Sequence, residues 1–145
     1  MFKKELLLVL GMGIGFIGIF NAQEIKKERK KTTTTRVSEA PIIDGILNDA
    51  AWKDAELLTD FITFRPDNGK KVTAAYQTTV KVIYDDAAIY ISATMLDPDA
   101  ANIPQEFASR DNFSQADFFL VTINPNDDGQ NPFEFIVQST GNQAD

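Results

Sequence analysis

The sequence predicts an all-β protein, an antiparallel β-sandwich with one short helix. The segments Thr78–Tyr84 and Ile89–Met95 alternate apolar and polar side chains with the period of two that is typical of strands. Turn-forming residues separate these segments at intervals of about ten residues, as in sandwiches and barrels. The 145 residues are 43% hydrophobic and 24% charged, which suits one globular domain.

The first 22 residues have the order of a secretory signal peptide. Lys3 and Lys4 precede an apolar run from Leu6 to Phe20, and cleavage is expected after Ala22. The run is short for a bilayer-spanning helix, although an uncleaved anchor is the alternative. A G-x-G-x-x-G pattern at Gly13 to Gly18 lies inside this segment and lacks the strand and helix of a nucleotide site. We therefore expect export to the periplasm, the outer membrane or the extracellular space.

A basic, low-complexity linker is predicted over residues 23–36, ahead of a folded domain over residues 37–145. From Val37 onward the chain has 6 Lys and Arg against 18 Asp and Glu, a net charge of −12. Such an acidic domain argues against nucleic-acid binding, which needs a basic surface. The linker could contact anionic lipid or polysaccharide, although a basic run of this kind is more commonly only solvated.

The domain is predicted to begin with a strand, a turn and the short helix. The strand covers Val37 to Ile43 and ends at the turn dipeptide Asp44-Gly45. The helix lies between Leu47 and Leu58, where Asn48 or Asp49 is the expected N-cap and three alanines favour helix.

The later elements are predicted as strands. Phe61 to Phe64 ends a strand before a Pro-Asp-Asn-Gly turn. The best β-hairpin in the chain joins Thr78–Tyr84 to Ile89–Met95. Two further strands are expected at Asp117 to Asn124 and at Phe133 to Val137.

The residue types exclude several chemistries. The chain has no cysteine and no histidine, which removes disulfides, thiolate zinc sites, cysteine nucleophiles and the imidazole base of serine-type triads. Glycoside hydrolysis needs two carboxylates that flank a cleft, and no such pair is marked by a sequence pattern. We therefore expect this segment to have no catalytic activity.

The candidate metal ligands are Asp127 and Asp128, in an oxygen-rich turn. Calcium takes six to eight oxygen ligands, so structural calcium is one interpretation of this turn. The stretch does not fit the EF-hand loop, and the same residue types are also common because they form turns.

Sugar binding is the remaining chemistry, since it uses aromatic faces together with polar side chains that fix hydroxyl groups. The candidates are Tyr76, beside Gln77, and Phe113. Each could instead be a partly buried sandwich residue. Arg110 precedes Asp111 and is either a hydrogen-bonding arm in a ligand groove or part of an ion pair that ties its loop to the sandwich.

The stretch from Ala40 to Trp52, APIIDGILNDAAW, resembles the opening of family 9 carbohydrate-binding modules, roughly P-x-I-D-G-x-L-D-E/D-x-x-W. The marker residues in this stretch are Asp44, Gly45 and Trp52. Further elements follow in the family's order. Val80 to Ile91 resembles the family's strand, Tyr-Asp-Asp turn and second strand. Tyr84, Asp85 and Asp86 are the marker residues of that turn. The later matches are Arg110-Asp111, Asp117 to Pro125, Phe133 to Phe135 and Gly141 to Asp145.

This resemblance implies a jelly-roll type of β-sandwich, binding of an oligo- or polysaccharide, and often bound calcium. It is most similar to modules at the N-terminus of long exported bacterial proteins, where a region thought to form an outer-membrane β-barrel follows. The family's final strands have no counterpart before Asp145, so we expect the sandwich to be incomplete at its C-terminal end. An unpaired strand edge and an uncovered core would then make the chain marginally stable or prone to aggregation.

These observations together predict an exported, non-catalytic carbohydrate-binding module within a larger cell-envelope protein for polysaccharide binding or catabolism. One alternative is a structural N-terminal periplasmic domain of an outer-membrane β-barrel protein. Another is a non-catalytic fragment of a glycoside hydrolase, whose O-glycosyl hydrolase activity would lie in an attached region. Trp52, the chain's one tryptophan, matches the family's entrance motif rather than its sugar platform, which favours a core position over a ligand contact.

Overall fold

The computed structural model describes residues 30–145, so the predicted signal peptide and the linker as far as residue 29 lie outside the described residues. Within that part the chain forms strands and single 3₁₀ turns, and residues 31–145 form one compact unit. The prediction of an all-β fold is confirmed.

The first sheet has three strands in the order β1-β2-β3. Their bounds are β1 Thr35–Arg36, β2 Thr78–Tyr84 and β3 Ile89–Met95. β1 runs parallel to β2, whereas β2 and β3 are antiparallel.

The second sheet is antiparallel throughout, in the order β4-β5-β6. Its strands are β4 Phe118–Ile123, β5 Phe133–Gln138 and β6 Gln143–Ala144. The 3₁₀ turns are Ala50–Trp52, Ala74–Tyr76 and Ala100–Asn102.

The hairpin of β2 and β3 forms with the predicted bounds. Its register pairs Val80 with Ala93 and Val82 with Ile91 on one face, and the buried Ile83 with Tyr90 on the other. The connection is tight because the Asp85 N–H donates to the Ala88 carbonyl at 3.0 Å. The alternation of apolar and polar residues was therefore sufficient to predict this pair of strands.

The start of the domain differs from the prediction. No strand covers Val37 to Ile43; the pairing lies earlier, in β1, within the segment predicted as linker. The N–H of Val37 still donates to the Tyr84 carbonyl at 2.8 Å, but Pro41 has no N–H with which to continue a ladder. Ile42 and Ile43 are exposed, so burial of an apolar face does not stabilise a strand there either.

The short helix predicted near Trp52 is a single 3₁₀ turn. Asp49 occupies the N-cap position, but its side chain makes no capping hydrogen bond. The turn is closed by the Trp52 N–H, which donates to the Asp49 carbonyl at 3.2 Å. A helix this short has no stability of its own, and packing of Trp52 holds it in place.

Two other segments also differ from the predicted elements. The strand end at Phe61 to Phe64 is reduced to an isolated antiparallel bridge between Ile62 and Lys71. β6, which the sequence pattern did not predict, adds two residues to the edge of β5.

The main apolar cluster forms between the 3₁₀ turn and the first sheet. Trp52 is 4% exposed and packs with Ala55 and the fully buried Ile83, and Tyr90 lies partly buried against them. The Lys81 ammonium group donates to the Trp52 carbonyl at 2.7 Å. The prediction that Trp52 is a core residue rather than a ligand contact is confirmed.

The second sheet is apolar on both faces, yet no apolar residue of its strands is buried. Residues that face each other in an antiparallel register share a face of the sheet. One face therefore carries Phe119, Val121, Ile123, Phe133, Phe135 and Val137. Jelly-roll packing of the two sheets stays a prediction.

We expect Trp52→Ala to lower the free energy of unfolding by about 3–5 kcal/mol, because it removes the largest side chain of the cluster over Ile83. Denaturant titration followed by circular dichroism measures the change. Ile42→Ala, at an exposed position, is the control and should cost less than about 0.5 kcal/mol. Similar losses for the two variants would contradict a core role for Trp52.

Candidate functional site

Tyr76 lies at the end of the second 3₁₀ turn, directly before β2. Its N–H donates to the Thr73 carbonyl at 3.0 Å, and the next residue, Gln77, accepts from the Leu96 N–H at 3.0 Å. The backbone is thus held at the start of the hairpin, while 53% of Tyr76 is exposed. An exposed aromatic ring on a fixed backbone is suited to stacking against a ligand.

Arg110 is engaged in contacts within the chain. Its guanidinium group forms an ion pair with Asp145 and donates to the Gln143 side-chain oxygen at 3.2 Å. The neighbouring Asp111 N–H donates to the Gln143 carbonyl at 3.0 Å. These contacts tie the loop before β4 to β6, which is the ion-pair role rather than that of a free hydrogen-bonding arm. Because the groups are solvent-exposed, the ion pair adds little stability by itself.

Phe113 projects from the same loop, and 62% of it is exposed. The Phe113 and Phe118 rings pack edge to face, with ring centroids 6.0 Å apart and an angle of 74° between the ring planes. The next residue, Ser114, donates its hydroxyl to the side-chain oxygen of the buried Gln138 at 3.1 Å. These contacts hold the loop on β4 and β5 and leave most of the Phe113 ring open to solvent.

The structure brings together two of the three predicted sugar-binding residues. Arg110 and Phe113 share one loop that is anchored on the second sheet. No hydrogen bond or ring contact among residues 30–145 joins either of them to Tyr76, which precedes the hairpin of the first sheet. The aromatic candidates therefore belong to two different loops.

Side-chain oxygens close the turn that contains Asp127 and Asp128. One carboxylate oxygen of Asp128 accepts the Gln130 N–H at 2.9 Å, and this bond holds the pKa of Asp128 below its ordinary value. The side-chain oxygen of Asn124 accepts the Asn126 N–H at 3.2 Å. Acidic residues in the described range form no group of three that could hold a metal ion. Structural calcium at this turn stays a prediction.

The marker residues of the entrance motif have scaffold roles. The Asp44 carboxylate accepts the Ile46 N–H at 2.8 Å, and Gly45 has a φ of +83°, a conformation that other residues rarely adopt. Trp52 is buried, as described above. These residues shape the turn and the core.

The Tyr-Asp-Asp turn is also structural, and it reveals a contact that the sequence interpretation missed. Asp85 accepts the Ala87 and Ala88 N–H groups at 2.8 Å each. One terminal nitrogen of the Arg36 guanidinium group donates to both carboxylate oxygens of Asp86, at 2.6 Å each. Arg36 falls within the predicted linker, and its basic neighbours give no sign that it pairs with a residue 50 positions away.

A cleft of about 440 Å³ lies beside β1 and was not predicted. One carboxylate oxygen of Asp49 is buried and has no hydrogen-bond partner among the described residues. The residues that line the cleft include Arg36, Glu39, Ile42, Asp49 and Asp54. The sequence pattern predicts only a capping role for Asp49, and tertiary folding brings it close to these other groups.

Comparisons with protein-family models, with curated proteins and with solved structures gave no match. Among residues 30–145, no helix is long and apolar enough to cross a membrane.

The Asp85 turn predicts a specific loss of stability in acid. Hydrogen bonds from Ala87 and Ala88 hold the pKa of Asp85 below its ordinary value of 3.8. A carboxyl whose pKa is lowered by folding contributes stability above its unfolded pKa, and that contribution disappears as the pH falls through the folded pKa. We therefore expect the temperature of the thermal unfolding midpoint to decrease as the pH is lowered below about 4. Asp85→Asn should make this decrease smaller.

Thermal unfolding between pH 2 and pH 6 measures the effect. Asn at position 85 keeps one oxygen that can accept the two N–H groups, so the turn should still form. Glu56, whose pKa is lowered by the Thr33 N–H and the Thr32 hydroxyl, is left intact in the variant and should maintain part of the acid dependence. Equal acid slopes for the wild type and Asp85→Asn would contradict the prediction.

Proposed function

We propose that the protein is a non-catalytic carbohydrate-binding module of an exported protein, similar to family 9 modules, that binds an oligo- or polysaccharide. The observation that carries the proposal is the exposed Phe113 ring, held on β4 by its contact with Phe118. A ring that is fixed before the ligand arrives loses little conformational freedom on binding. The apolar CH face of a sugar could stack on it, while polar neighbours bind the hydroxyl groups.

The scaffold supports the same proposal. Asp44 and Gly45 form the turn, and Trp52 is buried in the core. The residues that carry the resemblance to the family's entrance motif thus each have a role in the folding of this chain. Tyr76 offers a second exposed aromatic ring, on the loop before β2. Arg110 takes part by positioning the Phe113 loop on β6 rather than by binding the sugar.

A second candidate function is a structural one, as an N-terminal periplasmic domain that packs against the β-barrel region of a larger outer-membrane protein. The apolar residues exposed on both faces of the second sheet favour it, because large apolar patches are typical of protein–protein contact. The two candidates make different predictions about polysaccharide binding.

Affinity electrophoresis of the full chain in native gels tests the first proposal. The gels would contain soluble xylan, mannan, β-glucan or hydroxyethyl cellulose, and we expect at least one of them to retard the protein. Phe113→Ala should weaken the binding roughly tenfold, which corresponds to about 1.4 kcal/mol. Tyr76→Ala should weaken it as well if its ring contacts the same chain of sugars.

The matched control is Phe64→Ala, since Phe64 is a strongly exposed phenylalanine outside the proposed site. It should leave the retardation unchanged. Absence of retardation by every polysaccharide would overturn the carbohydrate proposal and leave the structural one. Equal effects of Phe113→Ala and Phe64→Ala would show that binding does not occur at the Phe113 loop.

A further inference from the structure

The outer edge of β4 has free backbone hydrogen-bonding groups. The Ser139 N–H donates to the Asp117 carbonyl at 2.7 Å, while Phe118 pairs with Gln138 across the register. Backbone groups alternate between the two sides of a strand, so every second residue of β4 turns its N–H and C=O away from β5. The outward-facing residues are Phe118, Leu120 and Thr122. No hydrogen bond within residues 30–145 reaches these outward groups.

The edge lacks the features that normally prevent pairing with another chain. β4 has the sequence FFLVTI, without a charged residue, a proline or a bulge. Charged side chains, prolines and bulges are the usual means by which exposed edge strands avoid association. Phe118 and Leu120 are 51% and 40% exposed on one face, and Phe119 and Val121 are partly buried on the other.

We infer that β4 pairs with β4 of a second copy of this chain, antiparallel across a two-fold axis, so that two second sheets join into one sheet. The outward groups of Phe118 would bond to those of Thr122 in the partner, and Leu120 would lie directly opposite Leu120 of the partner. Three outward residues in each copy provide about six backbone hydrogen bonds, since residues that face each other in such a pair exchange two.

The side chains fit a second copy in this register. On one face, each Phe119 would lie opposite Val121 of the partner, an aromatic and β-branched pair of the kind that stabilises neighbouring strands. Asp117, the nearest charged residue, would lie opposite Ile123 of the partner, so no two like charges meet. β4 therefore provides its own complement, which is why a second copy is the occupant we choose over an unrelated strand.

The strength of the contact follows from its size. Stable interfaces bury about 1,200–2,000 Å² of surface in total. The edge of a strand of six residues buries a smaller area than that when it pairs with a second copy. We therefore expect a dimer that dissociates on dilution rather than a permanent one.

Sedimentation velocity of the full chain over a hundredfold range of concentration tests the inference. We expect the mass to rise toward that of a dimer, and Leu120→Lys or Leu120→Glu alone to keep the protein monomeric, because like charges would meet at the two-fold axis. A mixture of the two variants should recover the dimer, since the introduced lysine of one copy would then face the introduced glutamate of the other.

Ile89→Lys is the matched control, because Ile89 is an exposed apolar residue at the edge of the other sheet, in β3. It should leave the dimer intact. If the Leu120 variants lose their circular dichroism signal, Thr122→Pro provides a second test: it removes one outward N–H without touching the bonds between β4 and β5. That variant should be monomeric.

Several results would overturn the inference. One is a wild-type protein that stays monomeric at every concentration. Another is a dimer that persists in Leu120→Lys, which is the result expected if the copies associate through the apolar N-terminal run instead. Failure of the mixed lysine and glutamate variants to associate would exclude the proposed register. Loss of the dimer in Ile89→Lys alone would assign the contact to β3.

Discussion

The packing of Trp52 over Ile83 is the interaction on which the first sheet and the 3₁₀ turn beside it depend. It connects a single 3₁₀ turn, which could not persist by itself, to the β2–β3 hairpin near the hairpin turn, where Ile83 pairs with Tyr90. The Lys81 ammonium group, bonded to the Trp52 carbonyl, satisfies the backbone of that turn where it meets the sheet. β1 then pairs with the other edge of β2, and the Arg36–Asp86 ion pair joins it to the hairpin turn.

The second sheet is organised by a different balance. Its strands have no purely polar face, because apolar residues fall on both, and the buried cluster around Trp52 includes none of its side chains. Its order comes from the backbone ladder and from polar links such as Ser114–Gln138 and the Arg110 contacts with β6. The apolar surface that remains is what makes both an exposed aromatic platform and an open edge at β4 available. The proposed sugar site and the proposed contact between copies thus have one physical origin, the apolar side chains that remain exposed in the described second sheet.

The two proposals concern neighbouring parts of the same sheet. Phe113 rests on Phe118, which is also the first outward-facing residue of the β4 edge. Association through β4 would place two Phe113 loops on one continuous sheet, one from each copy. Two linked sites on a polymeric ligand raise the overall affinity through effective concentration when the ligand can span them.

The residue pattern was enough to predict the strand class of the domain, and alternation with a period of two, a local property, predicted the β2–β3 hairpin to the residue. Short apolar runs bounded by turn residues predicted β4 and most of β5. It also predicted a buried Trp52. The true position of β1, the short pairing of β6 and the Arg36–Asp86 contact depended on tertiary structure, since each joins residues whose pairing no local pattern marks. The same holds for the candidate site, for which residue types indicated Tyr76, Arg110 and Phe113. Only folding decided that Arg110 binds Asp145 and Gln143 and that Phe113 packs on Phe118. Folding also placed Tyr76 in a different loop. Contacts made by side chains across long separations leave no local pattern from which they could be predicted.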